Sequence, residues 1–280
     1  MAMNKRIENQ FLLLSEKGKN DWWRFVAFLL MLVGLLAINY NFIEEVSLPT
    51  FDQTLAILLI EGAAWLLVLL GIIFAIERIH SRGFGTLNYV RPQFFMKEVF
   101  EGIAVWGVLA IAGSLINQQD NIKFFLDNRL NTSLLYLIPI TVISIGIQTY
   151  TEEVIFRGYV LQSLSLRIKN LYALTFAGSS IFGILHLAYG LVDALSVILF
   201  GALFCYVVLK RESLAFVSGV HFINNFLFIF VLAGDDNVSV ERDFLDFDIV
   251  TVAITYTQFI LLFLYIRYRS KRKGRAPVLS

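Results

Sequence analysis

Two adjacent glutamates and an arginine interrupt a run of sequence that is otherwise fit for lipid. The stretch TYTEEVIFRGYVLQ begins at Thr149 and carries Glu152, Glu153 and Arg157. Glu153 and Arg157 are four apart, so on a helix they share a face and can pair. Glu152 is turned about 100° from its neighbour and points elsewhere. A charge at mid-bilayer costs roughly 2.5–3.5 kcal/mol on insertion scales, and such residues face the bundle interior and act there. A buried ion pair that only ties helices together accounts for Glu153 and Arg157 as well as a functional role does. It does not account for Glu152, which needs a partner or a proton.

Two further stretches carry related groups. SSIFGILHLAYG holds Phe182 and His186, and SGVHFINNF holds His221 and Asn225; each pair is spaced to lie on one helix face. The third of the three histidines, His80, stands in a basic loop beside Arg78 and Arg82, where a solvated role is expected. A carboxylate with two imidazoles resembles a catalytic zinc set with an open position for water, using Glu152, His186 and His221. The same groups also work without metal. A carboxylate held away from bulk water can take a proton from a water molecule. One histidine then holds that water, while the other and the asparagine donate to a developing oxyanion. Both versions predict hydrolysis of an amide or similar carbonyl compound with no covalent intermediate.

These residues must be positioned by membrane helices. The chain is 58% hydrophobic with a mean hydropathy of +0.71, and its 16% charged residues fall below the roughly 25% of soluble domains. The expected fold is an all-α polytopic transmembrane bundle of about eight spans, each needing roughly 20 apolar residues. The expected spans run from 25 to 43, 54 to 76, 99 to 116, 134 to 166, 171 to 189, 191 to 209, 214 to 233 and 249 to 268. The fourth is too long for one straight crossing and must tilt, break near the motif or emerge. Basic loops alternate with the acidic EEVSLPTFD and GDDNVSVERDFLDFD, which predicts both termini on the cytoplasmic side. With a net charge of +1, nothing indicates nucleic-acid binding. Cys205 is the one cysteine, so no intrachain disulfide can form. Glu61 sits inside the second span, where a structural role, with Gln148 as a possible partner, is expected. Lys210 and Arg211 close the sixth span, where topology and the helix dipole both favour them.

In order along the chain, E-E-x-x-x-R, F-x-x-x-H and H-x-x-x-N resemble the motifs of the CPBP or Abi family of intramembrane proteases. That family includes the type II CAAX prenyl endopeptidases and bacterial bacteriocin-processing and immunity proteins. The resemblance covers roughly Leu134 to Ala233. It implies that Glu152 is the catalytic base, that His186 positions the water, and that His221 and Asn225 stabilise the oxyanion. Glu153 and Arg157 take supporting roles, with Phe182 as structural support. Both a zinc mechanism and a metal-independent glutamate mechanism have been argued for the family, so Zn2+ is a possible cofactor.

The division that follows is 1–133 for the first three spans and a cytoplasmic tail, 134–233 for the catalytic core, and 234–280 for the last span and a basic tail. The function expected is an intramembrane endopeptidase of the cell membrane, if the source is bacterial. It would act in the lipid bilayer on a membrane-associated peptide or protein. Two rivals stand beside it. One is a non-catalytic scaffold that binds another membrane protein; the other is a proton or ion transporter using Glu61 and Glu152 as a relay.

Overall fold

The computed structural model describes residues 9–44, 51–129, 132–187, 190–228 and 248–272. They form α1 (Gln10–Leu13), α2 (Trp22–Glu44), α3 (Phe51–Phe74), α4 (Phe95–Asn117), α5 (Gln119–Phe124), α6 (Thr132–Glu153), α7 (Leu161–Ser165), α8 (Leu171–Ile184), α9 (Leu191–Arg211), α10 (Ala215–Leu227) and α11 (Ile249–Arg272). No strand occurs among the described residues; an isolated antiparallel bridge joins Tyr89 to Ser213. The acidic loop after α10 and the basic tail after α11, both used above to assign topology, lie outside the described residues.

Helices occupy all eight expected stretches, but fewer of them qualify as spans. Among the described residues, four are long and apolar enough to cross a membrane: Leu55–Ile79, Pro92–Asn117, Leu191–Arg211 and Ile249–Ser270. A fifth results if Gln10–Lys17 and Trp22–Ile38, bent by 100°, count as one broken span. These helices mark an integral membrane protein. The 14 residues of α8 reach only about 21 Å, against roughly 30 Å of hydrocarbon. The motif helix carries three charges, and the described part of α10 covers 13 residues. Outward-facing Leu30, Val108 and Phe176 are exposed, as suits side chains that meet lipid.

The seam between α4 and α10 is the closest helix contact that bears on the site. A Cβ placed on Gly102 would collide with the carbonyl oxygen of Phe216, and one on Gly219 with that of Val99. The two backbones therefore touch, as small residues permit between membrane helices. This fixes α10, which carries His221 and Asn225.

The loop after α3 turns inward rather than out. Leu87, Asn88 and His80 are all buried. The Tyr150 hydroxyl donates to Asn88 Oδ1 at 2.6 Å, and the Leu214 amide donates to the Asn88 carbonyl at 2.8 Å. The solvated role expected for His80 is thus corrected. Its ring joins the Lys19 carbonyl (3.0 Å) to the Tyr159 hydroxyl (3.1 Å), packed edge-on against Phe25. Arg82 beside it donates to Gln162 Oε1 and to the Leu14 carbonyl. The N-terminal segment supplies the rest of this plug. Asn9 caps α1 and donates to the Leu209 carbonyl, while Phe11 and Leu12 are buried.

Arg211 does more than end a span. It forks onto Glu101 at 2.9 and 3.0 Å and lies 3.7 Å from Glu98. The same Glu101 carboxylate accepts from the Tyr265 hydroxyl and from Arg269, so one acid ties α4, α9 and α11 together.

Candidate active site

The motif helix changes winding at the point where its charges lie. α6 ends at Glu153, a π-helical turn runs over Val154–Val160, and α7 follows. Wide turns of this kind recur at functional sites because they re-aim side chains out of the regular α register. Glu153 and Arg157 still meet across it, Nη1 to Oε1 at 3.0 Å. The two side chains are 0% and 1% exposed, so this pair is cut off from water. The guanidinium also lies over the rings of Phe182 (4.3 Å) and Phe204 (5.0 Å), which face a cation favourably.

Glu153 has a second partner. Its Oε1 accepts a hydrogen bond from His221 Nδ1 at 2.8 Å. A carboxylate can only accept, so Nδ1 carries a proton. The other ring nitrogen, Nε2, lies 3.8 Å from Glu152 Oε2. That separation is too long for a direct hydrogen bond. The remaining Glu152 oxygen, Oε1, accepts from Gln148 Nε2 at 3.3 Å. Gln148 therefore serves Glu152 rather than Glu61, which stays half-buried in α3. The i, i+4 spacing of Gln148 and Glu152 carried this signal in the sequence.

His186 stands past the end of its helix. α8 stops at Ile184, five residues short of the expected boundary, and His186 lies in the following turn. Its Nδ1 is 2.9 Å from the Phe182 carbonyl, and that oxygen can only accept, so Nδ1 carries a proton here as well. Phe182 sits between the two imidazoles, with ring centroids 4.7 Å from His186 and 6.3 Å from His221. Asn225 is one turn beyond His221, and its Oδ1 accepts from Asn224 Nδ2 at 3.3 Å. Asn224 is in turn held by Trp106 Nε1 at 3.1 Å.

Glu152, Glu153, Arg157, Phe182, His186 and His221 thus form one neighbourhood drawn from three helical segments. Asn225 extends it toward α4. Gln148, Phe204, Asn224 and Trp106 belong to it as well and carry no motif of their own. Among the described residues, no three His, Cys, Asp or Glu groups are disposed to hold a metal ion. The donor expected of His221 toward zinc is partly committed, since Nδ1 is bound to Glu153.

A membrane-helix bundle with a carboxylate–imidazole centre defines the class, and the comparisons with known proteins say what it resembles. Residues 131–227, which hold Glu152, Glu153, Arg157, His186, His221 and Asn225, match the model of the type II CAAX prenyl endopeptidase Rce1-like family. Over 238 residues the chain is 26% identical to the uncharacterized protein YyaK of Bacillus subtilis (strain 168), covering 77% of this chain and 80% of that protein. No solved structure matches the chain.

Proposed function

We propose that this protein is an intramembrane endopeptidase in which Glu152 activates water to hydrolyse a peptide bond of a membrane-associated peptide or protein. The observation that carries the reading is the placement of His221 between two acids, with Nδ1 fixed on Glu153 and Nε2 turned toward Glu152. Glu152 Oε1 is steadied by Gln148, which leaves Oε2 as the basic atom. A water on Oε2 gives up its proton to that oxygen and attacks the carbonyl carbon of the peptide. The proton then passes to the departing amine nitrogen, so the carboxylate is regenerated. Asn225 is suited to donate to the oxyanion, and His186 to orient the water. Glu153 and Arg157 act through His221, as positioning residues. The match of residues 131–227 to a family of endopeptidases supports this activity, and cytoplasmic placement of both termini follows from the basic loops.

The test uses purified protein in liposomes with a farnesylated CAAX peptide as the first probe, chosen from the family's name, and a pool of membrane-anchored peptides as the second. Glu152→Gln is expected to lower cleavage by roughly 100- to 10,000-fold, the usual contribution of a general base, while the protein stays folded. Undiminished cleavage in that variant would remove Glu152 as the base, and a parent protein that cuts neither probe would establish the scaffold instead. Cleavage that is lost on chelation and restored by zinc would replace the glutamate-only mechanism with a zinc one.

A further inference from the structure

A cavity of roughly 200 Å³ lies between α4, α10 and α11, lined among others by Trp106, Ser114, Asn117, Asn224, Thr255 and Gln258. We infer that this cavity is a substrate subsite that takes one uncharged hydrogen-bonding group, an amide-bearing side chain or a peptide unit, beside the bond to be cut. The inference rests on the endopeptidase reading for its role and on the cavity alone for its chemistry.

Size comes first. Sites for drug-sized ligands run from about 300 Å³ upward, so this space suits a single side chain. Composition comes next. None of the lining residues is charged, and seven of the thirteen carry a hydroxyl or a carboxamide on a wall that is otherwise apolar. Their bonds among the described residues leave a definite remainder. Gln258 Nε2 is committed to the Leu109 carbonyl at 2.8 Å, which leaves Oε1 to accept. Asn117 Nδ2 is held by Asp248 Oδ2 and by the Thr251 hydroxyl, which leaves its Oδ1. Gln118 Oε1 receives the Ser114 hydroxyl at 3.1 Å, which leaves Nε2 to donate. A wall with both acceptors and donors and no charge matches an amide, which presents both kinds of group. An aliphatic side chain would strand these polar groups.

Position links the cavity to the chemistry. Asn224 lines it, is fixed there by Trp106, and donates directly to Asn225. An extended peptide advances about 3.3 Å per residue, so a residue adjoining a bond held at Asn225 can place its side chain here.

The probes are acetyl-glutamine methylamide and its norleucine counterpart, added to full-length protein in detergent. The protein is labelled with fluorotryptophan, and the Trp106 fluorine resonance is assigned by its loss in Trp106→Phe. The glutamine probe is expected to shift that resonance saturably, with the norleucine probe at least roughly tenfold weaker. Gln258→Leu should abolish the difference; if that variant does not fold, Thr255→Val should reduce it. Equal response to both probes, or none at Trp106, overturns the inference. The same titration beside the cleavage assay, both on the parent protein, separates the two readings. Selective binding by a parent protein that cuts neither peptide probe keeps the cavity and ends the protease role, whereas cleavage without this selectivity does the reverse.

Discussion

Arg157→Met leaves the Glu153 carboxylate buried without its cation. The side chains meet at 3.0 Å with 1% and 0% exposure, so solvent cannot stand in for the lost partner. Breaking one side of such a pair costs about 3–5 kcal/mol. The guanidinium contacts with Phe182 and Phe204 contribute up to about 2 kcal/mol more, of which methionine recovers a part through its sulfur. Glu153→Gln removes the acid but keeps an oxygen for His221 Nδ1–H, and strands Arg157 at a cost of about 3–5 kcal/mol. The double variant strands no charge. Its cost should therefore fall below the sum of the singles by at least about 2 kcal/mol. Unfolding free energies in mixed micelles, measured for all four proteins, close the cycle. Additivity to within about 0.5 kcal/mol would refute the claim that the pair is desolvated and coupled.

Other outcomes follow from the same geometry. Gly219→Val forces α4 and α10 apart at the Val99 carbonyl and should destabilise the fold by about 1–3 kcal/mol, seen as a lower melting temperature. Glu101→Gln loosens the grip on Arg211, Tyr265 and Arg269 together and should cost about 3–5 kcal/mol in the same assay. Burial pushes the His80 imidazole below its ordinary 6.5, opposed by the Lys19 carbonyl and reinforced by Arg82 and Arg24. The unfolded chain then takes up the proton more readily than the folded one, so stability holds above pH 6.5 and falls as the pH drops beneath it. Melting curves over this window should show that slope in the parent and a flatter one in His80→Gln.

Much of the helical layout was legible in hydropathy, and the three motifs were legible in spacing, because helix periodicity turns four-residue gaps into contacts. His186 was found by type although its helix ends two residues earlier. What escaped was long-range. Nothing in the local sequence ties His80 to Tyr159, Asn88 to Tyr150 or Trp106 to Asn224, since each pairing spans more than a single helix. Charges in loops read as topology signals, yet Arg82 and Arg211 are buried because acceptors from distant segments meet them. Hydropathy alone also did not show where α8 stops, short of the length that crosses a bilayer.

The widened turn over Val154–Val160 also sets a limit on how this chain can change length. A π turn is wide by about one residue, so loss of one residue there would let the backbone relax into ordinary α winding with the later side chains close to their present directions. Tyr159 would keep the His80 ring and Gln162 would keep Arg82. The same loss within α6, which has no spare residue, would swing every later side chain by roughly 100° and break both anchors with a single codon.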